Sequence, residues 1–423
     1  MEKENQNIEF ITTTKPLKGK IKQRYTDFIV EEVDETGQIC KVMRYNTPIE
    51  DRVQREMIIP QRNNEEHLVL EMEKLNMDTP TAIAHLSRGI NVSRKRIGYA
   101  GLKDKRALTC QKISIYLPDE ELVKKFGVKG MELRNPCWSD KRIELGDLLG
   151  NQFTITIRDI EMSEEEIKKI LKEFIEESKK GLPNYFGNQR FGGKRMITHK
   201  VGKLLLKGKF EEGIMLYLTQ TYEEEKEELK NARTNLAKTR DFKKALKEFP
   251  IDARSERAIL NHLVKHPNDY LGAFKVLPKK IRYLFSHSFQ SHIFNKIIKK
   301  RIMLFGQKAL EPIDGDVLLN GVPAALLPGF ESKFAESKAG EIEKKVLEEE
   351  KISFEDFKTT KMSELSSKGK RKVISLIPEK FRIEKITNDE FNEGKKAVTI
   401  SFFLPKGNYA TTVLRELLKE EVY

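Results

Sequence analysis

The 423-residue sequence holds only three cysteines, Cys40, Cys110 and Cys137, dispersed and without a CxxC pair. That spacing supplies neither a disulfide framework nor half of a zinc site. No run of ~18 apolar residues occurs, which excludes a membrane-spanning helix, and the N-terminal MEKENQNIEF is too polar for a secretory signal. A reduced, cytoplasmic protein is expected. Also missing are a GxGxxG after a strand, a GxxxxGK followed by Ser or Thr, and an HExxH, so dinucleotide, P-loop and zinc-hydrolase chemistry lack their residues. Two of the seven histidines, His287 and His292, stand five apart, off the shared helix face that ligands three or four apart would occupy. No cofactor and no metal is called for.

What is present is charge, with an excess of one sign. Lys and Arg outnumber Asp and Glu by 78 to 65, a formal +13, and the pI is about 9.3. A basic excess of this size suggests a polyanionic partner, nucleic acid first, because binding phosphate with Lys and Arg releases counterions. The 34% charged content also fits ion-pair networks of a heat-adapted protein, but that accounts for charge density rather than for its sign. The length allows two or three domains with ample cores.

One stretch organises the chain. Ile97 to Gln111, IGYAGLKDKRALTCQ, sets Asp104 between Lys103 and the Lys105-Arg106 pair, just after a turn that Gly101 permits. A carboxylate among cations stays ionised, the state needed for a nucleophile or base. Lys-Asp-Lys is also a common solvated turn. Beyond Ala107, Ile113, Ile115 and Leu117 alternate as in a half-buried strand, so Asp104 is expected on a loop entering a sheet.

Around this stretch the periods switch. Phe28, Val30 and Val33 read as a strand, and His67 to Leu75 resumes an apolar pattern. Thr79-Pro80 opens a helix with the hydroxyl as its cap, running on toward basic Arg94, Lys95 and Arg96. GNQFTITIR gives a strand with Phe153, Ile155 and Ile157, entered through Asn151, whose amide could cap a turn or read a base edge. Ser163 and Glu166 form a capping box for the best helix of the chain, with Ile167, Ile170, Leu171 and Phe174 on its stripe and Gly181 at its stop. PNYFGNQRFGG then breaks every period. Helices are expected over Lys203–Tyr217, Tyr222–Phe249 and Lys279–Met303, a turn region around Asp314–Gly329, and a charged helix near Gly340–Lys351. Pro378 to Ile386 and AVTISFFLP return to strands, and a turn at Pro405–Gly407 leads to a short helix holding Tyr409 and Arg415. Strands at both ends bracket a helical middle.

The blocks AGLKDKRALTCQ, GNQFTITIR, PNYFGNQRFG and SFFLPKGNYATTVLREL, in that order, resemble the motifs of the TruD family of tRNA pseudouridine synthases. The resemblance implies an α+β protein: a pseudouridine synthase core with a mixed, mainly antiparallel sheet built from both chain ends, plus an inserted, mainly helical α+β domain. The implied division is 1–183 and 375–423 for the catalytic domain and 184–374 for the inserted TRUD domain. It further implies isomerisation of uridine 13 of tRNA by base flipping, with tRNA as partner and no cofactor; the oligomeric state is not legible in the sequence, and a monomer is expected. Asp104 matches the family's catalytic aspartate. Phe28, Asn151, Phe153 and Tyr409 match substrate-binding positions, Lys22 matches a basic residue near the aspartate, and Arg415 is expected to pair with Asp104 or a phosphate.

Two other readings compete. A noncatalytic tRNA- or rRNA-binding protein would use the charge but not Asp104, and a metal-dependent RNA hydrolase would need clustered carboxylates. Nearly a hundred residues separate QRFG from SHSFQSHIFN, more than in the shortest bacterial members, and the enlarged insertion is expected to grip the body of the RNA.

Overall fold

The computed structural model describes residues 10–46 and 57–422. The first nine residues of the polar N-terminus therefore lie outside it. Regular structure starts with β1 (Phe28–Val33) and β2 (His67–Leu75), then α1 (Thr79–Gly89), β3 (Ile97–Tyr99), β4 (Leu108–Tyr116), α2 (Glu120–Lys124), β5 (Met131–Ser139) and β6 (Gly150–Ile160). Next come α3 (Glu164–Ser178) and the short β7 (Leu182–Pro183). The helical middle follows with α4 (Thr198–Leu206), α5 (Phe210–Thr219), α6 (Glu227–Thr239), α7 (Phe242–Glu248), α8 (Arg254–Lys265), α9 (Tyr270–Lys275) and α10 (Lys279–Phe305). It ends in β8 (Val317–Leu319), β9 (Val322–Leu327), α11 (Ser337–Glu349), β10 (Lys370–Val373) and β11 (Ser375–Leu376). The chain closes with β12 (Glu379–Asn388), β13 (Lys396–Pro405) and α12 (Ala410–Leu418).

The main sheet runs β12-β13-β6-β1-β4-β2-β5, with β3 added to β4. Only β1 and β4 are parallel. β13 lies beside β6 although the whole helical middle separates them in sequence, so the sheet is made from both chain ends, as expected. A close backbone approach permits this: a Cβ on Gly150 would lie 2.1 Å from the Leu404 carbonyl oxygen.

One sheet face carries two apolar cores. At one end α3 and α12 pack with Ile155, Ile157, Ile400 and Phe402 in a core continuous with the helical middle. At the other, α1 covers Leu68, Leu70, Met72, Ile113 and Ile115. Between them the same face is polar, with Lys74, Thr109, Gln111 and Glu32 buried. Burying a charge is costly unless it is paired, so this strip needs a reason.

Several local expectations are corrected. The α1 cap is Asp78, which accepts from the Thr81 amide at 2.8 Å, and this frees the Thr79 hydroxyl for work elsewhere. The helix over 203–217 is broken at Gly208 (φ +71°) into α4 and α5. The charged stretch 222–249 is two helices, α6 ending at Arg240 (φ +52°) and α7 starting from an Asp241 cap. The region 314–329 holds β8 and β9 rather than turns alone, and β3 and β5 carried no clear period. Arg96 closes a 3-10 turn and donates to the Tyr116 carbonyl at 2.6 and 2.9 Å, so its guanidinium serves the fold. The helical middle is packed closely on α10: a Cβ on Gly202 of α4 would lie 2.1 Å from the Phe285 carbonyl oxygen.

Candidate active site

The polar strip lies where β4 changes partner. Residues Leu108–Cys110 pair with β1, whereas Ile113–Ile115 pair with β3. In the gap the Lys112 amide donates to Glu32 Oε1 at 3.0 Å, a side chain replacing a lost ladder bond. The loop joining β3 to β4 arches over this gap and carries Asp104.

That loop is pinned from beneath at Gly101, Lys103 and Asp104. Gln111 Nε2 donates to the Gly101 carbonyl at 3.0 Å, and the Lys103 amide donates to Thr79 Oγ1 at 3.0 Å, whose own hydroxyl donates to Gln111 Oε1 at 2.8 Å. Lys103 turns inward and its ammonium meets Glu32 Oε2 at 2.5 Å, with both side chains almost wholly buried. Lys74, fully buried, donates to the Met77 carbonyl at 2.6 Å and to the Asp104 carbonyl at 3.4 Å. Burial brings the Lys74 ammonium down to about 8, although the Asp104 charge acts in the opposite sense. A carboxylate on a loop held at four points is pre-organised, and transition-state stabilisation depends on such placement.

Asp104 itself is partly open, with 35% of its side chain exposed. Its nearest cation is Lys22, whose Nζ lies 3.9 Å from Oδ2. Lys22 adopts φ +57° and is buried, with its ammonium 4.3 Å above the Phe28 ring. Burial lowers its pKa, Asp104 raises it and Arg106 lowers it again. Thus Lys22, rather than the flanking Lys103, is the cation that serves the carboxylate. Arg106 remains exposed and borders two concavities along the Gly19–Thr26 segment, of about 400 and 260 Å³.

The sheet register brings the aromatic and amide positions to the same face. Phe402, Phe153, Val30, Thr109 and Lys74 form one row across β13, β6, β1, β4 and β2. Leu404, Asn151 and Glu32 form the next. Phe28 and Phe153 meet edge to face at 6.2 Å, and Phe153 stacks on Phe402 at 5.6 Å. Both Phe28 and Phe153 are buried. Asn151 sits within β6 rather than before it, and its Oδ1 is buried without a hydrogen-bond partner among the described residues. An orphaned buried acceptor is costly, of order 1–3 kcal/mol, unless a ligand supplies the donor.

Two of the expected positions lie apart from Asp104. Tyr409 caps α12, 41% exposed, with its ring 6.2 Å from that of Phe186. Arg415 is engaged by Glu416 and Glu421, both at 3.0 Å, and lies over the Tyr185 ring at 4.9 Å. Its pairing with Asp104 is not found, because these nearer carboxylates on and beyond its own helix take the guanidinium. Glu32, Lys74, Gln111 and Thr79 were missed by sequence reasoning. Only the apolar run of β2 ending in Lys74 hinted that a charge continues a buried face. Among the described residues no cluster of three or more His, Cys, Asp or Glu could hold a metal. No helix among them is long and apolar enough to cross a membrane.

The family model described as tRNA pseudouridine synthase D (TruD) matches residues 6–324 and 319–417. The chain belongs to the TruD family. A tRNA pseudouridine synthase D of Methanosarcina acetivorans is 40% identical over 444 residues, covering 97% of this chain and 95% of that one. One from Thermococcus sibiricus is 33% identical over 452 residues, covering 98% of each. The crystal structure of a TruD protein from Methanosarcina mazei superposes with a TM-score of 0.77 at 38% identity, covering 97% of this chain and 96% of that chain. Near-equal coverage means that these relatives share the enlarged helical middle.

Proposed function

We propose that the protein isomerises uridine to pseudouridine in tRNA, at position 13, in the cytoplasm, with Asp104 as the reacting carboxylate. The observation that supports this best is Asp104 on a loop pinned over the sheet's partner switch, with Lys22 3.9 Å away, in a chain of the TruD family. On this reading residues 1–183 and 375–423 form the catalytic domain, and 184–374 form the inserted domain.

In the reaction the N1–C1′ bond of the uridine breaks, the uracil turns while held, and a C5–C1′ bond forms as the C5 proton leaves and N1 regains one. Atoms balance within one nucleotide, so no transferring cofactor enters. Turning the nucleotide out of its stack costs a few kcal/mol, and stacking on an aromatic returns roughly 1–3 kcal/mol. Polar contacts must supply the surplus. Asn151 Oδ1 accepts the uracil N3–H and thereby loses its orphan status. Lys22 covers the Phe28 ring in the free protein, so an arriving base displaces the ammonium to reach Phe28, with Phe153 beside it. The ionised Asp104 then triggers breakage of the N1–C1′ bond in a site closed against escape of the detached base. Tyr409 contacts the RNA from the start of α12.

Tritium release from tRNA labelled at uridine C5 tests this. The wild-type protein releases label without added metal. Asp104→Asn binds tRNA with unchanged affinity and releases none; release by that variant at the wild-type rate overturns the assignment.

A further inference from the structure

A pocket of about 920 Å³ lies where the helical middle meets the end of β13, away from Asp104. Its walls carry Arg190, Lys370, Lys372 and Lys406, with the rings of Phe186 and Tyr409. Arg190 donates Nε to Ser291 Oγ at 3.0 Å, Lys372 donates to the Asn184 carbonyl at 3.4 Å, and Lys406 donates to the Gly146 carbonyl at 2.8 Å. These partners are neutral. Among the described residues none of the four cations forms an ion pair, whereas Arg371 and Lys368 beside them are matched by Glu343 and Glu331. The one carboxylate on the wall, Glu379, is exposed.

Two of the unmatched cations approach one ring. Lys372 Nζ lies 5.2 Å and the Arg190 guanidinium 5.6 Å from the Phe186 centroid. Burial, reinforced by the Lys370 charge, brings Lys372 down to about 7. Holding an amine there without a counter-charge is unfavourable, and an anion between the two cations relieves it. Asn184, wholly buried on the same wall, also leaves its Oδ1 without a partner.

The pocket is wired to the active site through one turn. Leu404 pairs with Asn151, the Lys406 amide donates to the Leu149 carbonyl at 2.9 Å, and the Gly146 amide donates to the Ala100 carbonyl at 2.8 Å. The Pro405–Tyr409 turn therefore borders both the loops around Asp104 and the pocket. We propose that this pocket holds the RNA strand beside the extruded uridine, with one backbone phosphate seated between Arg190 and Lys372. The assignment rests on the tRNA reading and deepens it. Lys370 and Lys406 guide the strand at the mouth, and Tyr409 gives the neighbouring base a face to stack on.

The test uses the full-length protein and Lys372→Met, which removes the charge at similar volume. tRNA binding is measured across a salt series beside steady-state kinetics. The expected result is a KM raised about tenfold with kcat retained, and a slope of log affinity against log salt lowered by about one, the signature of one lost phosphate contact. Lys372→Arg restores both. Arg190→Met, on a different element, reproduces the lost slope and covers the case in which Lys372→Met misfolds. Wild-type KM and slope in both charge-removing variants overturn the proposal. A wild-type protein that isomerises nothing defeats the isomerase reading, while the salt slopes still decide the pocket.

Discussion

Beneath the Asp104 loop every buried lysine has a partner: Lys103 meets Glu32, Lys74 meets two carbonyls and Lys22 faces Asp104. At the seam pocket Arg190, Lys370, Lys372 and Lys406 find only neutral partners or none among the described residues. The same residue type does two jobs. In the first region cations are consumed internally to fix a carboxylate, which is what chemistry at one atom requires. In the second they are left over, which is what binding an external anion requires.

Charge removal should therefore cost different things in the two places. The largest effect falls on Asp104→Asn, which lowers turnover by about 10⁴-fold or more while leaving affinity intact. Next is Glu32→Gln. It strands the Lys103 ammonium in a site where both partners are almost wholly buried, and breaking such a pair costs about 3–5 kcal/mol, read as a lowered midpoint in urea unfolding. A loss below about 1 kcal/mol would show that the pair behaves as a surface bridge and would erase the contrast.

A smaller effect separates Lys74 by pH. Its pKa falls from 10.5 in the unfolded chain to about 8 in the fold, so between those values the unfolded state holds more protons and stability rises with pH. The rise from this group totals on the order of 3 kcal/mol. Urea unfolding of the wild-type protein and Lys74→Met between pH 8 and 10.5 checks it: the wild-type stability should rise relative to that of the variant across that window. A constant difference would mean that Lys74 is not held in a desolvated site.

Much of this was legible in the chain. The alternation in GNQFTITIR and AVTISFFLP and the capping box at Ser163 are local signals, and β6, β13 and α3 follow them. The bracketing of a helical middle by strands was readable for the same reason. The place of Asp104 on a loop entering a sheet was legible from the alternation beyond Ala107. What stayed hidden depends on partners distant in sequence. Thr79 looks like a helix cap until Lys103 and Gln111 come to it. Lys372 stands in a charged run, KGKRKV, without an apolar period, and only the packing of β10 near Asn184, Phe186 and Phe294 buries its amine. The break at Arg240 carries no glycine or proline, so the charged stretch looked like one helix.

The most direct measurement maps pseudouridine to single nucleotides in an unmodified tRNA transcript, with wild-type and Asp104→Asn protein in the presence of EDTA. Product is expected at position 13 with the wild type and none with the variant. Equal product from both, or binding by the wild-type protein without product in any tRNA, would contradict this expectation.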